Sequence, residues 1–113
     1  MALIEWQTSA KRHLRQIFDY YKEQASLTAA CTMRDTIVSS VDRLEDFPTS
    51  GVRDHVLSTE ETTYYYVLAK RGKKTYRVYY IYEKDVCYIQ AIWDCSMNPT
   101  KRRARVIPFR RRK

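Results

Sequence analysis

The chain has 113 residues, which suits one domain that buries roughly two-thirds of its unfolded surface without metal or disulfide staples. Hydrophobic residues make up 44% and charged residues 30%, with only 2 Gly and 3 Pro, so collagen-like, low-complexity and disordered classes are excluded. The net charge of +8 is unevenly held: residues 1–60 carry 7 basic and 9 acidic side chains, residues 61–113 carry 14 and 4.

In chain order, Ala2 to Trp6 reads as a short strand. Gln7-Thr8-Ser9 supplies helix N-cap chemistry, with Thr8 or Ser9 as the cap. Ala10, Leu14, Ile17, Tyr21 and Ala25 recur at three- and four-residue spacing, the apolar face of a helix over about residues 9–25. Ser26 suits the cap of a second helix, whose face is Leu27, Ala30, Met33, Ile37, Val41 and Leu44. Phe47-Pro48 stops it and Thr49-Ser50-Gly51 turns the chain. The pair reads as a helical hairpin, or as one long bent helix. Residues 52–62 are polar and carry no clear pattern. From Tyr64 the chain is rich in tyrosine and β-branched residues, with 8 of the 10 tyrosines between Tyr64 and Tyr88. Strands are expected at Tyr64–Ala69, Tyr76–Tyr82 and Val86–Asp94, joined by Lys70-Arg71-Gly72-Lys73-Lys74 and Glu83-Lys84-Asp85.

The expectation is an α+β fold of order β-α-α-β-β-β, with a helical hairpin on one face of a small antiparallel sheet. The other face would be open, or covered only by the tail. Residues 1–100 form a single domain and 101–113 a basic tail with 8 cations and no acid. Such a tail attracts nucleic acid, the ribosome or an acidic protein, or it only keeps the chain soluble. No apolar run reaches the roughly 20 residues of a membrane span, and Met1 to Trp6 lacks a signal peptide's basic start. Cys31, Cys87 and Cys95 are odd in number and lack CxxC spacing, which predicts free thiols in a reducing cytoplasm.

Strand alternation puts Tyr76, Val78, Tyr80 and Tyr82 on one face and Arg77, Tyr79 and Ile81 on the other. The first set is the better core face. Arg77 is then a mid-strand cation on the uncovered side, near Lys70, Arg71, Lys73, Lys74 and the cluster Lys101-Arg102-Arg103. Cations interleaved with tyrosines such as Tyr79 suit phosphate binding with base stacking. The plainer alternative is an exposed charge, or an ion pair to Asp94 or Glu83. His13 and His55 have no Cys or acidic residue at ligand spacing, so no metal site is expected, nor any cofactor. GxxxxGK[ST], GxGxxG and paired-carboxylate motifs are missing, which leaves NTPase, dehydrogenase and glycosidase readings unsupported.

Four segments together carry a resemblance. They are the opening strand ending in Trp6 with the helix bearing Ile17-Phe18-Asp19-Tyr20-Tyr21, and Leu44-Glu45-Asp46-Phe47-Pro48-Thr49-Ser50-Gly51 (an L..FP..G exit). Tyr76-Arg77-Val78-Tyr79-Tyr80 and Ile89-Gln90-Ala91-Ile92-Trp93-Asp94-Cys95-Ser96-Met97-Asn98-Pro99 follow, similar to YR(V/I)xY and I..I.D.R.NP. In order and spacing the chain resembles the RelE/ParE superfamily of toxins from bacterial type II toxin–antitoxin systems. The resemblance implies the fold already expected and a cognate antitoxin that wraps the toxin.

RelE-like members cut mRNA in the ribosome, by attack of a 2′-OH on the adjacent phosphate with cations stabilising the transition state and no metal. ParE-like members poison DNA gyrase by binding. The catalytic arginine of the first group falls on Arg77. Positions where that group carries further cations fall on Tyr66, Leu68 and Ser96. The leading expectation is a ribosome-dependent mRNA interferase with Arg77 catalytic. Lys70, Arg71, Lys73, Lys74, Tyr79, Lys101, Arg102 and Arg103 would hold RNA. The alternatives are a gyrase-binding toxin and an inactive nucleic-acid-binding relative.

Overall fold

The computed structural model describes residues 1–97 and Val106. Strand β1 (Leu3–Trp6) leads into helices α1 (Thr8–Gln24) and α2 (Leu27–Ser39) and a 3-10 helix (Asp42–Glu45). Strands β2 (Val52–Arg53), β3 (Tyr65–Arg71), β4 (Lys74–Glu83) and β5 (Val86–Asp94) follow. The sheet order is β1-β5-β4-β3-β2. The β2–β5 meander is antiparallel as the short turns require. The sheet as a whole is mixed, because β1 lies parallel to β5, with Leu3 opposite Val86 and Trp6 opposite Ile89. Parallel neighbours need a long crossover, and the two helices with the meander supply it. The two-residue β2 is an addition to the expected order, in the segment that showed no pattern.

Local chemistry explains where the elements start and stop. Gln7, in extended conformation, precedes the first turn of α1 and makes no side-chain cap bond. Neither Thr8 nor Ser9 is the cap: Ser9 faces inward and its hydroxyl donates to the Gln90 carbonyl at 2.7 Å. Ser26 does cap α2, its hydroxyl accepting from the Ala29 N–H at 3.0 Å. So there are two helices, not one bent helix. α2 ends at Ser39, well before Pro48. The Ser40 hydroxyl donates to the Ile37 carbonyl at 2.6 Å and that of Ser39 to Thr36 at 3.3 Å, which competes with the helical ladder. Val41 and the 3-10 residue Leu44 still bury on the same face as Ile37.

The tyrosine on β4 explains the Phe47-to-Gly51 segment. The Tyr80 hydroxyl donates to the Pro48 carbonyl at 2.8 Å and accepts from the Gly51 N–H at 3.0 Å. A Cβ at Gly51 would sit 2.6 Å from that hydroxyl and 2.8 Å from the Tyr66 carbonyl, so only glycine fits. Phe47 itself is exposed. At the β4–β5 turn, Lys84 and Asp85 both have positive φ, 50° and 66°, as a two-residue type I′ hairpin needs.

Each face of the sheet carries a buried cluster. Ala10, Met33, Ile37, Val41 and Leu44 cover Val67, Ala69, Tyr76, Val78, Tyr80, Cys87, Ile89 and Ile92. The far face, expected to be open or covered by the tail alone, is packed by Leu57, Tyr64 and Val106 over Tyr79, Ile81, Ala91 and Trp93. A β-bulge lets β5 serve both: Tyr79 pairs with Ala91 but Tyr80 with Ile89, so Gln90 is extra and the alternation changes phase. Among the described residues, no helix is long and apolar enough to cross a membrane. Cys31, Cys87 and Cys95 are free thiols.

Candidate functional site

Alternation along β4 sends Arg77 away from the helices, and the register with β3 sets Leu68 opposite it. The guanidinium lies 4.2 Å from the centroid of the Tyr66 ring, a cation–π stack. Its Nη1 donates to the Tyr79 hydroxyl at 3.1 Å. That hydroxyl donates in turn to Asp54 Oδ2 at 3.0 Å, and Arg77 Nη1 stands 3.8 Å from the same oxygen. The other oxygen of Asp54 accepts from the N–H groups of Val56 and Leu57, both at 3.0 Å. Asp54 therefore caps its own turn and ties the 54–64 segment to β4. Its side chain is 4% exposed against 28% for Arg77.

The electrostatics follow from this enclosure. Burial opposes the charge on Arg77, but the Tyr79 hydrogen bond and its neighbours prevail and hold its pKa above the ordinary value. Burial pushes Tyr79 up to about 12, against the opposing pull of Arg77. A phenol that stays protonated to such pH is a poor general base. The Tyr79 ring, expected to stack on a base, is fully buried and has no open face.

The expected basic cluster divides between the two sides of the sheet. Lys70 and Arg77 share a face by alternation along paired strands. Lys74 lies toward the helices, where its ammonium meets Asp94 Oδ2 at 2.7 Å. So Asp94 pairs with Lys74, and the ion-pair partner of Arg77 is Asp54 rather than Asp94 or Glu83. Arg71, Lys73 and Lys74 border a cavity of about 460 Å³ against Tyr21, Thr32 and Met33. Ser96 stands by Asp94, its N–H and hydroxyl both donating to Oδ1. Lys101, Arg102 and Arg103 lie outside the described residues. Among the described residues, no three His, Cys, Asp or Glu side chains converge as a metal site would need.

Sequence reasoning missed Asp54, in the segment without pattern. A local signal was there: an aspartate two and three residues before the N–H groups it accepts from is an Asx-type turn. Its pairing with Arg77 across the sheet had no such signal. His13, weighed in the sequence only as a metal ligand, has a structural role instead. It is buried on α1, and its Nδ1 accepts from the Ile92 N–H at 3.2 Å, just past the bulge.

A family model described as the ParE toxin of the type II toxin–antitoxin system parDE matches residues 4–99. No curated protein matches the chain in sequence. Among solved structures the chain is similar to one described as the chromosomal ParDE TA system from P. aeruginosa, at 17% identity and a TM-score of 0.66. That match covers 83% of this chain and 96% of the other, and at such identity the likeness is one of fold.

Proposed function

We propose that this chain, which belongs to the ParE toxin family of type II toxin–antitoxin systems, acts by binding a protein target, DNA gyrase, rather than by cutting RNA. A toxin of such a pair has a cognate antitoxin as its partner. On this reading residues 1–100 are the toxin domain and 101–113 a basic extension. The observation that carries it is the state of Arg77. A phosphorane-like transition state needs cations whose charge is not already spoken for. Arg77 is hydrogen-bonded through Tyr79 to the buried carboxylate of Asp54. Tyr66 and the exposed Leu68 occupy the flanking positions where an RNA-cleaving relative would place cations.

The test is pulse-labelling after tightly controlled induction in bacteria, with methionine and thymidine incorporation followed in one culture. Purified gyrase supercoiling is assayed in parallel. DNA synthesis should stop first, and the purified toxin should inhibit supercoiling. Protein synthesis stopping first, with supercoiling untouched, overturns the reading. The second reading, ribosome-dependent mRNA cleavage, is favoured by Lys70 on the face of Arg77 and by the guanidinium's 28% exposure. It requires that Arg77→Ala abolish the block in translation.

A further inference from the structure

The mid-strand arginine is the cation on which the resemblance places the catalytic role, and the fold sets a carboxylate beneath it. We propose that Asp54 is a specificity-determining residue: it occupies Arg77 from inside and makes this face of the sheet a hydrogen-bonding surface for protein oxygens that does not take phosphate. The inference rests on the protein-binding reading above and supplies the residue responsible for it.

The geometry argues for a fixed occupant rather than a mobile gate. One oxygen of Asp54 is pinned by the Val56 and Leu57 N–H groups at 3.0 Å, and the other by the Tyr79 hydroxyl at 3.0 Å. An arriving phosphate would have to compete with a carboxylate that cannot swing aside. The cation is the more exposed member of the pair and the anion is inside, so the pair offers donors outward with its charge largely compensated. Tyr66, 4.2 Å below, fixes the guanidinium plane. Among the described residues only Nη1 is used in a hydrogen bond, which leaves the Nε and Nη2 edge for an in-plane acceptor. Leu68, 45% exposed and directly opposite Arg77, adds an apolar contact beside those donors. An arginine stacked on tyrosine next to an exposed leucine suits a protein surface presenting a carbonyl or carboxylate oxygen. At Arg77 itself a bare phosphodiester would meet a compensated charge beside a hydrocarbon, with Lys70, two residues along β3 from Leu68, as a further cation of that face.

The experiment is phenylglyoxal modification of the full native chain, resolved by peptide mass spectrometry, with and without inorganic phosphate. Arg71, exposed at the β3–β4 turn, is the internal reference. In the unsubstituted chain Arg77 should react far more slowly than Arg71, and phosphate should not change its rate. Asp54→Asn keeps an acceptor for Val56 and Leu57 but removes the charge. It should raise the Arg77 rate severalfold and make it sensitive to phosphate, with Arg71 unchanged. An unsubstituted Arg77 that reacts like Arg71 and is shielded by phosphate overturns the proposal. So does an Asp54→Asn chain whose Arg77 behaves as before. If circular dichroism shows that variant unfolded, Tyr79→Phe removes the bridge and keeps the carboxylate. An intermediate rise supports the proposal there, and an unchanged rate defeats it. These rates do not depend on which cellular process the toxin stops, so this inference and the protein-target reading fail separately.

Discussion

Tyr80→Phe isolates one atom that holds two distant segments together. The ring is fully buried, and its stack on Tyr65, with centroids 5.3 Å apart, survives the change. What goes is the hydroxyl that donates to Pro48 at 2.8 Å and accepts from Gly51 at 3.0 Å. Two net hydrogen bonds are worth about 1 kcal/mol each, and the partly buried carbonyl and N–H left behind add to the loss. The expected cost is about 2–3 kcal/mol. For a domain of this size that is a fall in melting temperature of roughly 8–12 °C. Urea and thermal unfolding of the purified chain measure it directly. Tyr82→Phe is the control: its hydroxyl donates at 3.0 Å to Asp85 in an exposed turn, where water replaces it, so its loss should leave the unfolding midpoint almost unchanged. If the two variants lose the same small amount, water replaces the Tyr80 hydroxyl freely, and the account of the Pro48-to-Gly51 segment is wrong.

The Lys74–Asp94 pair predicts a pH dependence. Burial pushes the Asp94 carboxyl up, but Lys74 and the Ser96 donors outweigh it and hold the pKa below the usual value. That stabilisation is whole above the unfolded carboxylate pKa and lost as pH falls through the lowered one. The hydrogen bond to Asp94 raises Lys74 against the effect of burial, so its share is whole below the unfolded lysine pKa and lost as pH rises through the raised one. Lys74→Met should therefore be less stable by under about 1 kcal/mol between about pH 5 and 10, with the gap closing in acid, in urea unfolding across a pH series. His13→Leu removes the buried acceptor of the Ile92 N–H and should cost about 1–3 kcal/mol. Amide exchange at Ile92 should quicken ahead of its neighbours on β5. Burial pushes the Cys87 thiol up to about 11, so a disulfide reagent should titrate the exposed Cys95 at once and Cys87 only on unfolding.

Much of this architecture was legible where the governing physics is local. Alternation in β4 separated Tyr76, Val78 and Tyr80 from Arg77, Tyr79 and Ile81, and the two cores divide along that line. The end of α2 was not legible. Val41 and Leu44 continue the helical spacing through a 3-10 helix, while the serines that end the ladder act by hydrogen bonds that no apolar pattern reports. The parallel place of β1 was equally silent, because register between residues 3–6 and 86–89 is set by closure of the whole fold. At the candidate site the split was sharper. Arg77 was visible as a cation in a strand, but its meaning depended on Asp54, 23 positions earlier in the chain. A charge is read from composition; its compensation depends on tertiary contacts.

The parallel seat of β1 against β5 has a consequence for the order in which the molecule is made. Leu3–Trp6 is synthesised well ahead of its hydrogen-bonding partner, residues 86–89, which follows 83 positions later in the chain. At common elongation rates the interval is roughly four to sixteen seconds. Throughout it the helical pair can form but has no finished sheet to cover, because the strand that α1 packs against is β5. The hairpins of β3, β4 and β5 close early through near neighbours in the chain, and β1 closes late across the longest loop in the fold. A nascent toxin is therefore obliged to remain incomplete until β5 emerges. Truncation within β5 removes the partner of β1 and part of the floor of both cores together.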